Sequence, residues 1–395
     1  MDFLREAEDL FEYTRALRRD FHRHPELGFQ EVRTAGIVAR ELAELGLEVS
    51  TGVAETGVVA MLEGEQPGPV VLLRFDMDAL PIQEQTGAAY ASENPGVMHA
   101  CGHDGHTAIG LTVARLLHAH RQALPGSLKL VFQPAEEGAG GAERMVKEGV
   151  LQNPPPNQCL AVHLWNEKPL GWVGIAAGPV MAAADFFKVT LQGKGGHGAL
   201  PNLAVDPVVA AAQVISALQS IVARNVSPLQ TAVVSVTSVH SGDAFNVIPS
   251  QATLQGTIRT FEPVVREKVI QRLHEVSGGI AQALSCQAEI EIKSITPALY
   301  NDSQAAARLR VVAGQLLPDH VIADSCSTMG SEDMAFMMQE VPGCYVFLGS
   351  ASSHAGLDYA HHHPRFDFDE RALPQAAALM AAAAVEALQA HSISK

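Results

Sequence analysis

The chain has 395 residues, of which 47% are hydrophobic and 18% are charged, as is typical of a globular protein and not of a disordered one. Its formal net charge of −16 disfavours a general nucleic-acid-binding role, because phosphate contacts require a basic surface. The 5 cysteines are scattered and odd in number, which argues against a disulfide framework. We therefore expect a cytoplasmic protein, with neither nucleic acid nor a membrane among its partners.

The first half of the chain alternates between predicted helices and strands. The N-terminal stretch MDFLREAEDLFEYTRALRRD predicts a charged amphipathic helix and lacks the apolar core of a signal peptide. Apolar runs at 70–79, 127–134 and 159–165 predict buried parallel strands, and 106–124 predicts a helix between the first two. This alternation predicts an α/β fold with a mostly parallel sheet, in which sites form beyond the carboxyl ends of the strands.

The pattern changes near Ala184, where the order strand, helix, strand, strand, helix, strand begins. This order predicts a ferredoxin-like α+β domain inserted into the first one. We expect a catalytic metal-binding domain formed by 1–183 and 294–395, and an inserted domain at 184–293. After the insertion, 343–350 predicts another buried strand, and an alanine-rich helix follows near the C-terminus.

Side chains that bind zinc-type metals lie near the ends of the predicted strands and in two further segments. Thiolate, imidazole and carboxylate groups are the ligands that such metals take in catalytic sites. The chain offers more candidate ligands of these types than one tetrahedral ion needs. Their number suits two ions about 3.5–4 Å apart with an attacking water between them. The candidates are the strand-end residues Asp76, Asp78, Glu136, Glu137 and His163, the pair Cys101 and His103, and the run His361–Pro364.

Other interpretations of these residues are weaker. A structural zinc site is expected to use several cysteines, commonly in C-x2-C spacing, and the chain has no such pair. A nucleophilic Cys101 is disfavoured because a thiolate bound to metal is not free to attack carbon. Any single histidine could be an ordinary buried polar residue, and we interpret His99 and His106 as supporting or helix-packing residues. The metal hypothesis depends on several ligands converging.

A set of motifs carries a resemblance to a known family. The motifs occur in order from Phe21 to Phe368: FHRHPELGFQE, RFDMDALPI, MHACGHDGHT, FQPAEEG, GGHGALP, FNVIP, GTIRT, GSEDMAFM and HHHPRFDF. Together they resemble the aminoacylase and carboxypeptidase family of two-metal amidohydrolases, and within it the branch of hippurate hydrolases and plant indole-acetyl-amino-acid hydrolases. The resemblance implies hydrolysis of N-acyl amino acids with two divalent metal ions per subunit, Zn or Mn first and Co or Ni as alternatives.

The resemblance also implies roles for the candidate residues. Cys101 would bridge the two ions, Glu136 would be the general base, and Asp78 would orient the ligands. The wider family carries a histidine ligand near Asp76, which this chain lacks, and the Cys101–His103 pair takes over its function. The remaining ligands would be His103, Glu137, His163 and His362, with His361 or His363 as alternatives to His362.

The inserted domain would contribute to the same reaction. By resemblance, Asn246 and Arg259 hold the free carboxylate of the substrate, a task that suits a guanidinium group. The domain would form a homodimer and place His197 in the partner's active site, where it donates a hydrogen bond to the oxyanion. Two rival functions remain: a dipeptidase or aminopeptidase with the same two-metal core, and a ligand-binding protein that has lost catalysis.

Overall fold

The computed structural model describes residues 1–392 and divides the chain into two compact units. The second unit begins and ends a few residues outside the expected 184–293 and also takes a short segment from further along the chain. The first unit comprises Met1–Val180, Tyr300–Ser327 and Asp333–Lys395, and the second comprises Met181–Leu299 and Thr328–Glu332.

The helices and strands of the described residues are numbered in chain order. The α-helices are α1 (Phe3–Asp9), α2 (Phe11–Arg23), α3 (Val32–Glu44), α4 (His103–Ala119), α5 (Gly141–Lys147), α6 (Pro207–Ser220), α7 (Pro263–Ala283), α8 (Ser303–Leu316), α9 (Ala335–Glu340) and α10 (Ala372–Ser392). The strands are β1 (Glu48–Val53), β2 (Gly57–Glu63), β3 (Gln66–Asp76), β4 (Pro125–Gln133), β5 (Gln158–Pro169), β6 (Trp172–Gly174), β7 (Gly178–Met181), β8 (Ala183–Gln192), β9 (Gly196–His197), β10 (Ala232–His240), β11 (Val247–Ile248), β12 (Gln251–Thr260), β13 (Gln287–Thr296), β14 (Leu299–Asn301), β15 (Val321–Ala323) and β16 (Gly343–Ala351).

The first unit is built on an eight-stranded mixed sheet in the order β1-β2-β4-β3-β5-β16-β6-β15. Its centre is parallel, since β4, β3, β5 and β16 all pair in that sense, and these are the four apolar runs that the sequence predicted as buried strands. The α/β prediction is therefore confirmed. The flanks are antiparallel where β1 meets β2, β2 meets β4, and β6 meets β16. β1 is mostly exposed and β6 has three residues, so neither has a long apolar pattern.

The core of the first unit depends on small side chains in α10. This helix packs against α4, α8 and β3, and its alanines, such as Ala377 and Ala384, are fully buried. α10 and the segment Pro207–Asn225 have the length and hydropathy to cross a membrane, but 78% of the α10 window is buried inside the protein. α10 is thus a core helix. The predicted N-terminal helix is two helices, because Leu10 between α1 and α2 has a non-helical ψ of 2°.

The second unit contains a four-stranded antiparallel sheet in the order β10-β12-β8-β13, with α6 and α7 packed against it. The chain order β8-α6-β10-β12-α7-β13 is the ferredoxin-like order that the sequence predicted. α6 begins at a capped turn: Asp206 accepts hydrogen bonds from the Val208 and Val209 amides, and Pro207 occupies the first turn. A separate two-stranded ladder pairs β9 with β11.

Candidate metal centre

The parallel centre of the sheet brings three of the candidate segments to one edge. Asp76 ends β3, and Glu136 and Glu137 follow β4 after a short loop. β5 does not end near His163, as the sequence suggested, but continues to Pro169. The register pairs Arg74 of β3 with Ala161 of β5, so His163 lies level with the last residue of β3. The imidazole therefore reaches the edge from the middle of a longer strand.

Cys101 and His103 approach this edge from the start of α4. Gly102 between them has φ 90°, a left-handed conformation that favours glycine, and it forms the N-cap of the helix. The turn places Cys101 Sγ 3.6 Å from Nε2 of His163. Nδ1 of His163 donates to the carbonyl oxygen of Leu164 at 2.7 Å, so its Nε2 lone pair faces the thiol. Cys101, His103 and His163 form one group whose potential ligand atoms all lie within 4.8 Å of one another.

A second group of donors shares the same cysteine. Cys101, Glu137 and His362 also place one ligand atom each within 4.8 Å of the others. Nε2 of His362 lies 3.2 Å from Oε1 of Glu137, and this Oε1 is buried without a hydrogen-bond partner in residues 1–392. The buried Nε2 of His103 likewise has no hydrogen-bond partner there. Two buried ligand atoms without hydrogen-bond partners thus lie near one thiol, and a pair of metal ions would satisfy them. The residues therefore fit the expected metals.

Burial and neighbouring charges shift the titration of these groups. Burial raises the pKa of Cys101, and the negative charge of Glu137 raises it further. Burial lowers the pKa of His163, and the nearby His106 adds to this effect. A thiolate bound to metal would not be free to attack carbon, which argues against covalent catalysis by Cys101. His163 is neutral, the state in which an imidazole can bind a metal.

The run of three histidines resolves into three different environments. Nε2 of His361 accepts the backbone N–H of Asn166 at 3.1 Å, and its Nδ1 lies 3.8 Å from Cys101 Sγ. His363 accepts the N–H of Arg365 through Nδ1 and stacks on Tyr359. Of these three histidines, only His362 belongs to a donor group in the described part of the chain; its φ is 66°, and its Nε2 lies near Glu137.

Two supporting histidines differ in their contacts. Nδ1 of His106 lies 2.6 Å from Oδ1 of Asp76, and its Nε2 accepts the backbone N–H of Leu164 at 2.9 Å. Both nitrogens are thus occupied, and the residue supports the strand that carries His163. His99 is buried, and neither ring nitrogen has a hydrogen-bond partner within residues 1–392. The contact of Asp76 with His106 has no local signature in the sequence, because it forms only when β3 and α4 pack together.

The carboxylates occupy distinct positions at the edge. Asp78 is buried; its Oδ1 lies 3.1 Å from Nδ1 of His103 and its Oδ2 accepts the N–H of Glu137 at 2.9 Å. Glu136 is half-buried, and one of its oxygens lies within 4.8 Å of donor atoms of His103 and Glu137. Glu136 therefore adjoins the donor groups without belonging to either of the two that contain Cys101.

The remaining candidates lie in the second unit, where the structure brings two of them together. His197 ends β9 and pairs with Val247 of β11, while the carbonyl oxygen of Asn246 accepts the N–H of Gly198 at 2.8 Å. Nδ1 of His197 accepts the N–H of Ala199 at 3.1 Å, and the residue is exposed. Arg259 lies on a different strand, β12, where it pairs with Ala184 and Val233 and contacts Thr257.

Comparison with known proteins identifies the family of this chain. The model of Peptidase family M20/M25/M40 matches residues 72–386, more than half of the chain. An N-acetylcysteine deacetylase of Bacillus subtilis is 42% identical over 383 residues, which are 94% of this chain and 96% of that protein. IAA-amino acid hydrolase ILR1-like 4 of Arabidopsis thaliana is 39% identical over 389 residues, which are 98% of this chain and 88% of that protein.

A solved structure extends the similarity to three dimensions. The Bacillus subtilis YXEP protein, described as a dinuclear metal binding peptidase from the M20 family, matches with a TM-score of 0.85 and 37% identity, covering 97% of this chain and 99% of that one. The resemblance drawn from the motifs is thereby confirmed. The chain belongs to Peptidase family M20/M25/M40, and it is an amidohydrolase of that family.

Proposed function

We propose that this enzyme hydrolyses the amide bond of N-acyl amino acids with two divalent metal ions. The observation that carries the proposal is that Cys101 belongs to two donor groups, one with His103 and His163 and one with Glu137 and His362. A thiolate shared by two such groups suits a bridging position. A dinuclear metal site is also stated for the YXEP protein, at 37% identity.

The donor set indicates which metals suit the site. One ion would be held by His103 and His163, the other by Glu137 and His362, and both by the Cys101 thiolate. The thiolate and imidazoles suit Zn and the carboxylate suits Mn, with Co or Ni as alternatives. When bound, a pair of divalent ions supplies Lewis acidity toward the amide carbonyl and the attacking water. Asp78 orients the set, because it contacts both His103 and Glu137.

Glu136 acts as the general base in this proposal. Its carboxylate lies beside His103 and Glu137 but outside the two donor groups that share Cys101, and this position suits a proton acceptor next to the metal ligands. It takes a proton from the attacking water and later delivers it to the leaving amine. His197 of a second subunit donates a hydrogen bond to the oxyanion, and we propose a homodimer through the second unit for this reason.

The substrate class follows from the relatives and from the second unit. Relatives at about 40% identity are named for the deacetylation of N-acetylcysteine and the hydrolysis of IAA-amino acid conjugates. Both names describe an acyl group joined to an amino acid, and hippurate belongs to the same class. Asn246 and Arg259 would hold the free carboxylate of that amino acid, the guanidinium through paired charge-assisted hydrogen bonds.

The direct test is a substrate and metal screen of the purified protein. Chelated enzyme would be reloaded with Mn, Zn, Co or Ni and assayed with hippurate, N-acetylcysteine and IAA-amino acids, with free-amino dipeptides as the comparison. We expect turnover of N-acyl amino acids that depends on added metal and exceeds turnover of dipeptides. Preferential cleavage of dipeptides would instead identify a dipeptidase. Tight binding of N-acyl amino acids without turnover under any metal would identify a ligand-binding protein.

A further inference from the structure

The segment PELGFQE, residues 25–31, has no role in the chemistry described above, yet it touches the loop that carries Asp78 and the loop that carries Glu136. The N–H of Ala79, next to Asp78, donates to the carbonyl oxygen of Glu26 at 2.8 Å. On the other loop, a Cβ added to Gly28 would lie 3.0 Å from both Cα and Cβ of Ala135. The segment therefore packs closely against the residue that precedes Glu136.

Ala135 has an unusual backbone conformation. Its φ is 54°, in the left-handed region that alanine rarely adopts, because the Cβ atom crowds the following carbonyl oxygen there. The residue is fully buried and directly precedes Glu136 and Glu137. Its φ therefore sets the direction in which the chain enters Glu136, whereas the N–H of Glu137 is held separately by Oδ2 of Asp78 at 2.9 Å. Such a conformation persists only when surrounding groups hold it in place.

Glu31 supplies one of these holding contacts. Its side chain is fully buried, its Oε1 accepts the N–H of Ala135 at 2.9 Å, and its Oε2 accepts the hydroxyl of Thr56. The carbonyl oxygen of Ala135 accepts the N–H of Gly141 at 3.1 Å. The N–H and the carbonyl oxygen of Ala135 are thus both hydrogen-bonded to residues outside its own turn. Of these two partners, Glu31 binds through its side chain and Gly141 through its backbone.

We propose that Glu31 is a positioning residue that holds Ala135 in the left-handed conformation and thereby directs Glu136 toward the reacting water. The proposal rests on the proposed function for the role of Glu136. Glu31 touches none of the reacting atoms. Its effect on catalysis passes through one hydrogen bond to the backbone and the orientation of the following residue.

A double-mutant cycle separates this role from a general structural one. We expect Glu31→Ala to lower kcat by about 10²-fold, the cost of a misplaced catalytic group, while KM and metal content stay unchanged. In a Glu136→Gln background the same substitution should lower kcat no further, because the group that Glu31 directs is already disabled. An equal proportional loss in both backgrounds would overturn the proposal.

A matched control and a substitute variant keep the cycle interpretable. Glu41 is a partly buried carboxylate of the first unit that accepts hydrogen bonds from Tyr13 and Arg115, and Glu41→Ala should lower Tm without lowering kcat. If Glu31→Ala does not fold, Glu31→Met keeps much of the side-chain volume without an acceptor and enters the cycle in its place.

Rescue provides an independent test. Glycine adopts a φ of 54° without the Cβ penalty, so Ala135→Gly should restore much of the kcat lost in Glu31→Ala. Glu31→Gln should also retain most activity, because its amide oxygen can accept the Ala135 N–H. No recovery in the Glu31→Ala, Ala135→Gly protein would overturn the proposal. Full turnover by Glu136→Gln would instead refute the role of Glu136 as the base. In that case, recovery of kcat in the Glu31→Ala, Ala135→Gly protein would by itself decide whether Glu31 acts through Ala135.

Discussion

Nδ1 of His103 lies 3.0 Å from the carbonyl oxygen of Asp78 and 3.1 Å from its Oδ1. Because a carbonyl oxygen only accepts hydrogen bonds, Nδ1 carries a proton, and Nε2 is left to face the donor groups that contain Cys101. The other carboxylate oxygen of Asp78 accepts the N–H of Glu137. One buried carboxylate thus orients candidate ligands from two separate segments.

Removal of this carboxylate should weaken metal binding. We expect Asp78→Ala to reduce metal affinity by about 10–100-fold, the usual cost of losing a group that orients a ligand. Asp78→Asn, which keeps one oxygen for His103, should have a smaller effect. Competition with a chromophoric chelator measures both affinities, and equal affinities for wild type and Asp78→Ala would contradict the orienting role.

Cys101→Ala should lose metal from both positions, because the thiol belongs to both donor groups. Elemental analysis after gel filtration measures the metal bound per subunit. Cys326→Ala removes another cysteine of intermediate exposure, which belongs to none of the donor groups, and it should retain the wild-type content. Two equivalents of metal in Cys101→Ala would refute the bridging assignment.

Glu136→Gln should keep its metal and lose turnover. The amide cannot accept a proton from water, so kcat should fall by about 10²–10⁴-fold, the contribution typical of a general base. Metal content and kcat would be measured on the same preparation. Loss of both ions in this variant would mean that Glu136 is a ligand and that its role and that of Glu137 are reversed.

His197→Ala tests catalysis across a dimer. Loss of one oxyanion donor should lower kcat by about 10²–10³-fold while metal stays bound. Mixing this variant with Glu136→Gln should restore activity, because a mixed dimer contains one site with an intact Glu136 and an intact His197 from the other chain. If subunit exchange is demonstrated and no activity returns, His197 acts within its own chain or has no catalytic role.

Glu31 should make stability depend on pH. Burial raises its pKa from 4.5 to about 7, so the folded protein holds this proton more tightly than the unfolded chain does. The stabilisation is fully present below pH 4.5 and is lost as the pH rises through 7. We expect the Tm of wild type relative to Glu31→Gln to fall across this range, measured at constant metal concentration.

Glu41→Gln provides a control of opposite sign for that experiment. Burial opposes ionisation of Glu41, but hydrogen bonds from Arg115 and Tyr13 prevail and lower its pKa. Its stabilisation is therefore present above the unfolded pKa and is lost as the pH falls. Parallel Tm curves for wild type and Glu31→Gln would show that the pKa of Glu31 is not raised.

Much of the fold could be predicted from local sequence patterns. The apolar runs that became β3, β4, β5 and β16 identify the parallel centre of the sheet, since strands buried on both faces consist of continuous apolar residues. The carboxyl ends of parallel strands meet at one edge, so Glu136 and Glu137 could be assigned to the same edge as Asp76 without coordinates. Cysteine and histidine near that edge indicated a metal.

The tertiary structure decided what no local pattern records. Three adjacent histidines are chemically identical in the sequence, and their contacts distinguish them: His361 with Asn166, His362 with Glu137 and His363 with Tyr359. Glu31 meets Ala135 although 104 positions separate them. Hydrogen-bond geometry between distant segments depends on how strands and loops pack, and the composition of each segment constrains that packing only weakly. The sequence by itself therefore determined the candidate ligands and the edge of the sheet at which they lie, whereas packing determined which atoms face one another.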